Sequence, residues 1–133
     1  DRDFILLIVD KDIDVFKLLK SSFKNDREIV LKAVKKNGYA LEHVSKKLKD
    51  DKEVVLVAVK EKGYALKYAS QRLKDDREVV FEAVKQDESA FKFVSKRLRG
   101  DRDIVLEAVR KNGLLLKLTN IELKKDKEID IGF

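Results

Sequence analysis

The stretch DKEVVLVAVKEKGYALKYASQRLKD, residues 51–75, decides the fold. Val54, Val55, Ala58 and Val59 share one side of a helix, because apolar residues recurring three and four apart form a single stripe. Leu56 widens the stripe, so this helix is expected to be covered on more than one side. Aspartate precedes it, and a carboxylate there accepts the backbone N–H groups that the first helical turn leaves unpaired. The pair Asp50-Asp51 offers two candidates for this cap; with Asp50 as the cap, Glu53 completes a capping box. Gly63 suits the left-handed position that ends a helix. Ala65, Leu66, Ala69 and Leu73 then mark a second, shorter helix from Tyr64 to Lys74.

The same unit recurs along the chain. Asp-basic-acidic tripeptides begin at Asp1, Asp26, Asp51, Asp76, Asp101 and Asp126, each 25 residues after the last. Ala-Val follows in register at Ala33, Ala58, Ala83 and Ala108, glycine at Gly38, Gly63 and Gly113, and serine at Ser45, Ser70 and Ser95. The chain thus reads as a single helical-repeat domain over 1–133, with units 1–25, 26–50, 51–75, 76–100 and 101–125 and a partial sixth at 126–133. Helices this short are marginal alone, so each unit needs the next to cover its apolar face. The expected fold class is all-α: an α-solenoid of five 25-residue helix-turn-helix repeats plus the start of a sixth. The alanine column has no side chain beyond Cβ and lets neighbouring backbones approach closely.

The acidic start, aliphatic run, Ala-Val, Gly-Tyr-Ala-Leu and Ala-Ser of residues 51–70 resemble the DUF4116 repeats, a family defined only as a domain of unknown function. The resemblance is strongest over 26–98. It implies tandem helical repeats, and it implies no catalytic or cofactor residue.

Composition narrows the function classes. Charged residues make up 42% and hydrophobic ones 44%, enough apolar material for a core beneath long charged faces. The net charge is +6, which favours acidic partners, although acidic residues are interleaved throughout. Cysteine is absent, so thiolate chemistry and cysteine-ligated zinc are excluded, and a reducing, cytoplasmic setting is favoured. No apolar run approaches the length of a membrane span. The chain does not begin with Met and reads as a piece of something longer.

No catalytic constellation is legible, and the expectation is a chain that is not an enzyme and carries no cofactor or metal. His43 is the sole histidine, and Leu18, Tyr68, Phe93 and Leu118 hold its place elsewhere, so it reads as packing. A serine repeated once per unit reads as a helix-end hydroxyl rather than a nucleophile. The expected function is a protein–protein interaction module, with salt-dependent nucleic-acid binding as the alternative. Candidate partner-binding residues are Tyr39 and Tyr64, from the variable column Asp14, Tyr39, Tyr64, Ser89 and Leu114, and Lys49, Lys74 and Arg99, from a basic column. Those cations serve a polyanion only where they are not already paired with carboxylates of adjacent units. The apolar run Phe4 to Val9 is a candidate for end-to-end self-association, or for contact with an upstream repeat.

Overall fold

The structure, a computed structural model, describes residues 2–111. Expectations for Gly113, Leu114, Leu118 and the partial unit at 126–133 lie outside the described residues. The chain is an all-α solenoid, and among the described residues there is no strand. Its frame is a row of five helices of 10 residues each: α1 (Arg2–Lys11), α2 (Arg27–Lys36), α3 (Lys52–Glu61), α4 (Arg77–Gln86) and α5 (Arg102–Lys111).

The aspartate of the tripeptide caps these helices. Asp26 accepts from the N–H groups of Glu28 and Ile29 at 3.1 and 3.2 Å, and Asp51 and Asp76 accept from Val54 and Val79 at 3.1 Å each. Asp51, not Asp50, is therefore the cap of α3. Glu53 reaches Arg27 of the preceding unit, so the capping box that Asp50 would have made does not form.

The second half of each unit differs from the expected helix over Tyr64–Lys74. It is a 3₁₀ segment, an extended break, and a short closing turn. The 3₁₀ segments run Ile13–Leu18, Gly38–His43, Gly63–Tyr68 and Glu88–Phe93. Closing turns follow at Ser21–Lys24, Leu48–Asp50, Gln71–Lys74 and Leu98–Gly100. Ala69 is extended at φ −71°, ψ 159°, which ends any helix through it. The cause is tertiary. The Ser70 N–H donates to the Lys49 carbonyl of the preceding unit at 3.0 Å, and Ser45 and Ser95 do the same to Lys24 and Lys74. These amides are satisfied across the junction and have no need of a helical partner within the segment.

The glycines also act differently from expectation. Lys62, which ends α3, is extended at φ −140°, and no left-handed residue closes the helix. Gly63 is needed for close approach instead. A Cβ there would fall inside van der Waals contact of the Ala83 carbonyl oxygen and 3.0 Å from the Asp87 amide nitrogen. Gly38 stands in the same relation to Ala58. Its N–H donates to the Glu61 side chain at 2.6 Å, and Gly63 donates likewise to Gln86.

The core is a continuous file through the stack. Ile29, Val30, Ala33 and Val34 of α2 are fully buried, as are their equivalents Val54, Val55, Ala58 and Val59 of α3 and Val79, Val80, Ala83 and Val84 of α4. The apolar residues expected in the second half, Ala65, Leu66, Ala69 and Leu73, are buried too. Their order inward was legible even though the backbone carrying them is not one helix.

Candidate interaction surfaces

The charges of the tripeptides are used between units. Arg27 donates from Nε to Asp51 at 2.9 Å and pairs with Glu53, so one guanidinium grips two carboxylates at the start of the next helix. Arg2 grips Asp26 and Glu28, Lys52 grips Asp76 and Glu78, and Arg77 grips Asp101 and Asp103 in the same way. The basic residue at the centre of the tripeptide is therefore a clamp onto the next unit. Sequence reasoning assigned it no role, although its fixed distance to the next aspartate was visible.

These clamps hold the aspartates ionised. The Arg27 hydrogen bond lowers the Asp51 carboxyl below its ordinary value of 3.8, against the opposing effect of burial. The Arg2 hydrogen bond does the same for Asp26. A carboxyl depressed in the folded state contributes stability that is present above the unfolded value and lost as pH falls through the folded one. Unfolding stability is thus expected to stay level from neutrality to about pH 5 and to decline progressively below about pH 4. Urea melts across that range check this, and a stability independent of acid would show that the clamps contribute nothing. Salt should shallow the decline, because the pairs are partly exposed to solvent.

A second ladder joins the closing turns. Ser70 Oγ donates to Asp50 at 2.6 Å and accepts from the Leu73 N–H at 3.2 Å. Arg72 Nε donates to Asp50 at 2.8 Å. Ser95, Asp75 and Arg97 repeat the arrangement, and Ser45 donates to Asn25. The serines are helix-end hydroxyls that also lock each unit to its predecessor.

Lys49, Lys74 and Arg99 fall on these closing turns and are half-buried. Arg99 donates to the carbonyls of Val94 and Lys92 at 3.1 and 2.7 Å, and Lys24 donates to Lys17 at 2.7 Å. Burial lowers the pKa of the Lys74 amine. Tyr64 packs onto the next unit, with its ring 5.0 Å from Phe93 in an edge-on contact and Lys92 4.9 Å above it. Tyr39 is 40% exposed. It borders a small cleft of about 170 Å³ with Phe16, Asn37 and His43. His43 is half-buried, 3.7 Å from the Glu42 carboxylate of its own segment. The structure thus places the five candidate residues on the second halves of the units and leaves Tyr39 the most open of the two tyrosines.

At the first unit Phe4 is 58% exposed and Leu7 54% exposed, while Val9 is buried. Phe4 occupies the place that Ile29, Val54, Val79 and Ile104 fill in later units, all of them covered.

The long helices carry a further apolar column that sequence reasoning placed inside. Leu31, Leu56, Phe81 and Leu106 are half-exposed on the outward side of α2 to α5. Between α4 and α5 this side opens into a cleft of about 410 Å³, lined by Arg77, Phe81, Asp103, Leu106, Glu107 and Arg110. Leu56 does widen the stripe of α3: it packs against the core and stays partly exposed.

Among the described residues no cluster of three or more His, Asp or Glu is placed to hold a metal ion, and no helix is long and apolar enough to cross a membrane. Fold and surfaces together define a class: a tandem helical repeat whose tripeptide and closing-turn side chains join one unit to the next. The chain belongs to the family described as Domain of unknown function (DUF4116), whose model matches residues 1–49, 51–99 and 101–129. No curated protein and no solved structure matches it.

Proposed function

We propose that this chain is a protein-binding scaffold that receives its partner along the outward side of the long helices. One observation carries the reading. From α2 to α4 the stack is closed by four fully buried columns, represented in α3 by Val54, Val55, Ala58 and Val59. The fifth apolar column, Leu31, Leu56, Phe81 and Leu106, repeats once per unit and stays half-exposed. A row of large apolar side chains in register, held on a stack of packed helices, is the form of surface that binds another protein through aligned anchors. Of the cations nominated for polyanion binding, Arg99 is directed at the backbone carbonyls of Val94 and Lys92, which leaves it less available to phosphate.

The test is affinity capture on the immobilised chain, comparing it with Leu56→Ser and Phe81→Ser variants whose folding is checked by circular dichroism. The expected result is loss of captured protein with both variants and retention with Tyr39→Ser, which lies on the second-half side. Capture that is indifferent to Leu56 and Phe81 but lost with Tyr39→Ser would move the site to the cleft beside His43. Labelled oligonucleotides, run at about 50 and 200 mM salt, complete the comparison. Micromolar binding that collapses over that interval would replace this reading with a polyanion track.

A further inference from the structure

The geometry points to an acidic amphipathic helix, with a large apolar residue every second turn, as the segment that docks on this outward side. The inference rests on the protein-binding reading just given and specifies the chemistry of the partner. Three features of the surface select it.

The first is spacing. Helices packed directly against each other, as α3 and α4 are, sit about 8–10 Å apart. The row Leu31, Leu56, Phe81 therefore offers one apolar side chain at about that interval. On a partner helix, residues seven apart rise by about 10.5 Å and stay on one face. Such a helix laid across α2 to α5 brings one anchor to each junction between neighbouring helices. An extended strand matches less well, because its same-face residues recur at about 6.6 Å.

The second is shape. The space between Phe81 and Leu106 is a recess, not a ridge. A side chain from a crossing helix fits into a recess of this kind.

The third is charge. The carboxylates at the N-terminal ends of the long helices, Glu53, Glu78 and Asp103, are already gripped by Arg27, Lys52 and Arg77. Glu107 accepts from Arg110 at 2.6 Å. On the C-terminal side of the row, Lys35 and Lys60 are exposed and make no ion pair among the described residues. Glu82 is the opposing carboxylate on this side, half-buried beside Lys60 and Lys85 in a cleft between α3 and α4. Each clamp sets one cation against two carboxylates, so the positive surplus lies on the C-terminal side of the row, over α2 and α3, and a partner with glutamates on the flank that faces this side is complementary.

The experiment is fluorescence anisotropy of the full chain with three labelled synthetic peptides of about four heptads. The first carries leucine at every seventh position and is otherwise rich in glutamate and alanine. The second has the same composition in scrambled order, and the third keeps the pattern but replaces glutamate with lysine. The first is expected to bind, with the other two weaker by about tenfold or more. Lys35→Glu with Lys60→Glu, both exposed and with folding checked by circular dichroism, should weaken the first peptide by a similar factor, and so should Leu56→Ser. Equal binding of the scrambled peptide, tighter binding of the lysine peptide, or no binding up to about 1 mM would each overturn the inference. If affinity capture depends on Leu56 and Phe81 while the acidic peptide does not bind, the partner's chemistry is wrong and the docking side stands. If neither depends on those residues, the protein-binding reading fails with it.

Discussion

Gly63→Ala is expected to lower the stability of the folded stack by about 3 kcal/mol, a large loss for one methyl group. The reason lies in the neighbouring unit. The new Cβ would meet the Ala83 carbonyl oxygen, the Asp87 amide nitrogen and the Gln86 side chain, and the first two belong to backbone fixed by the end of α4. Backbone cannot move aside as a side-chain tip can, so the junction between the third and fourth units must open. In a solenoid each unit is held by its neighbours, and a weakened central junction divides the array. Urea unfolding followed by circular dichroism should show a lowered midpoint, with two transitions in place of one if the halves separate. Glu88→Ala is the control. Glu88 stands where Gly63 stands one unit earlier and already carries a Cβ, so its truncation should change stability by no more than about 0.5 kcal/mol. Equal melts for the chain and Gly63→Ala would show that the approach to Ala83 is not close in solution.

Ala83→Leu should cost about 1–3 kcal/mol through overpacking. Ala83 is fully buried, as are Ala33, Ala58 and Ala108 at the same place in other units. It is also the residue whose carbonyl Gly63 approaches, so three added carbons would push on the same contact from the other partner. The two substitutions share a junction, and their costs should not add: the double variant is expected to lose less than the sum, because the first opens the space that the second fills. An unchanged thermal melt for Ala83→Leu would mean that the alanine column leaves room between units. Strict additivity would mean that the two residues report on separate contacts.

Much of this was readable from residues 51–75 alone, and the unread part has a common cause. Spacing put Val54, Val55, Ala58 and Val59 inside, and spacing also put Ala65, Leu66, Ala69 and Leu73 inside. Both are correct, because burial follows the order of apolar residues whatever the exact backbone. Spacing could not separate an α-helix from a 3₁₀ turn followed by a break over Tyr64–Lys74, since both bring those residues to one side. Ser70 held the clue, as a good cap for a new turn at Gln71. Choosing between Asp50 and Asp51 had the same difficulty: both can cap, and the choice falls to Asp51 because Ser70 and Arg72 of the next unit engage Asp50.

The candidate surfaces divide along the same line. The exposed ring of Tyr39 follows from a variable place in the repeat, but whether Tyr64 is open depends on Phe93 and Lys92 arriving from the next unit. Lys49, Lys74 and Arg99 form a column in the sequence, yet the hold of the Val94 and Lys92 carbonyls on Arg99 is visible only in the structure.

By itself the sequence determined the repeat, its period, the helical class and the four apolar columns that close the stack. These follow from local forces, namely helix periodicity, aspartate caps and the removal of apolar surface from water. Only the tertiary structure decided the broken second half, the contact role of Gly63 and the clamp at the centre of each tripeptide. Each of these turns on a group about one repeat away along the chain. Ser70 finds its carbonyl on Lys49, Arg27 its carboxylates on Asp51 and Glu53, and Gly63 its neighbour on Ala83. Hydrogen bonds and hard-sphere contacts act over a few ångströms, so they are settled only when the stack has brought those groups together.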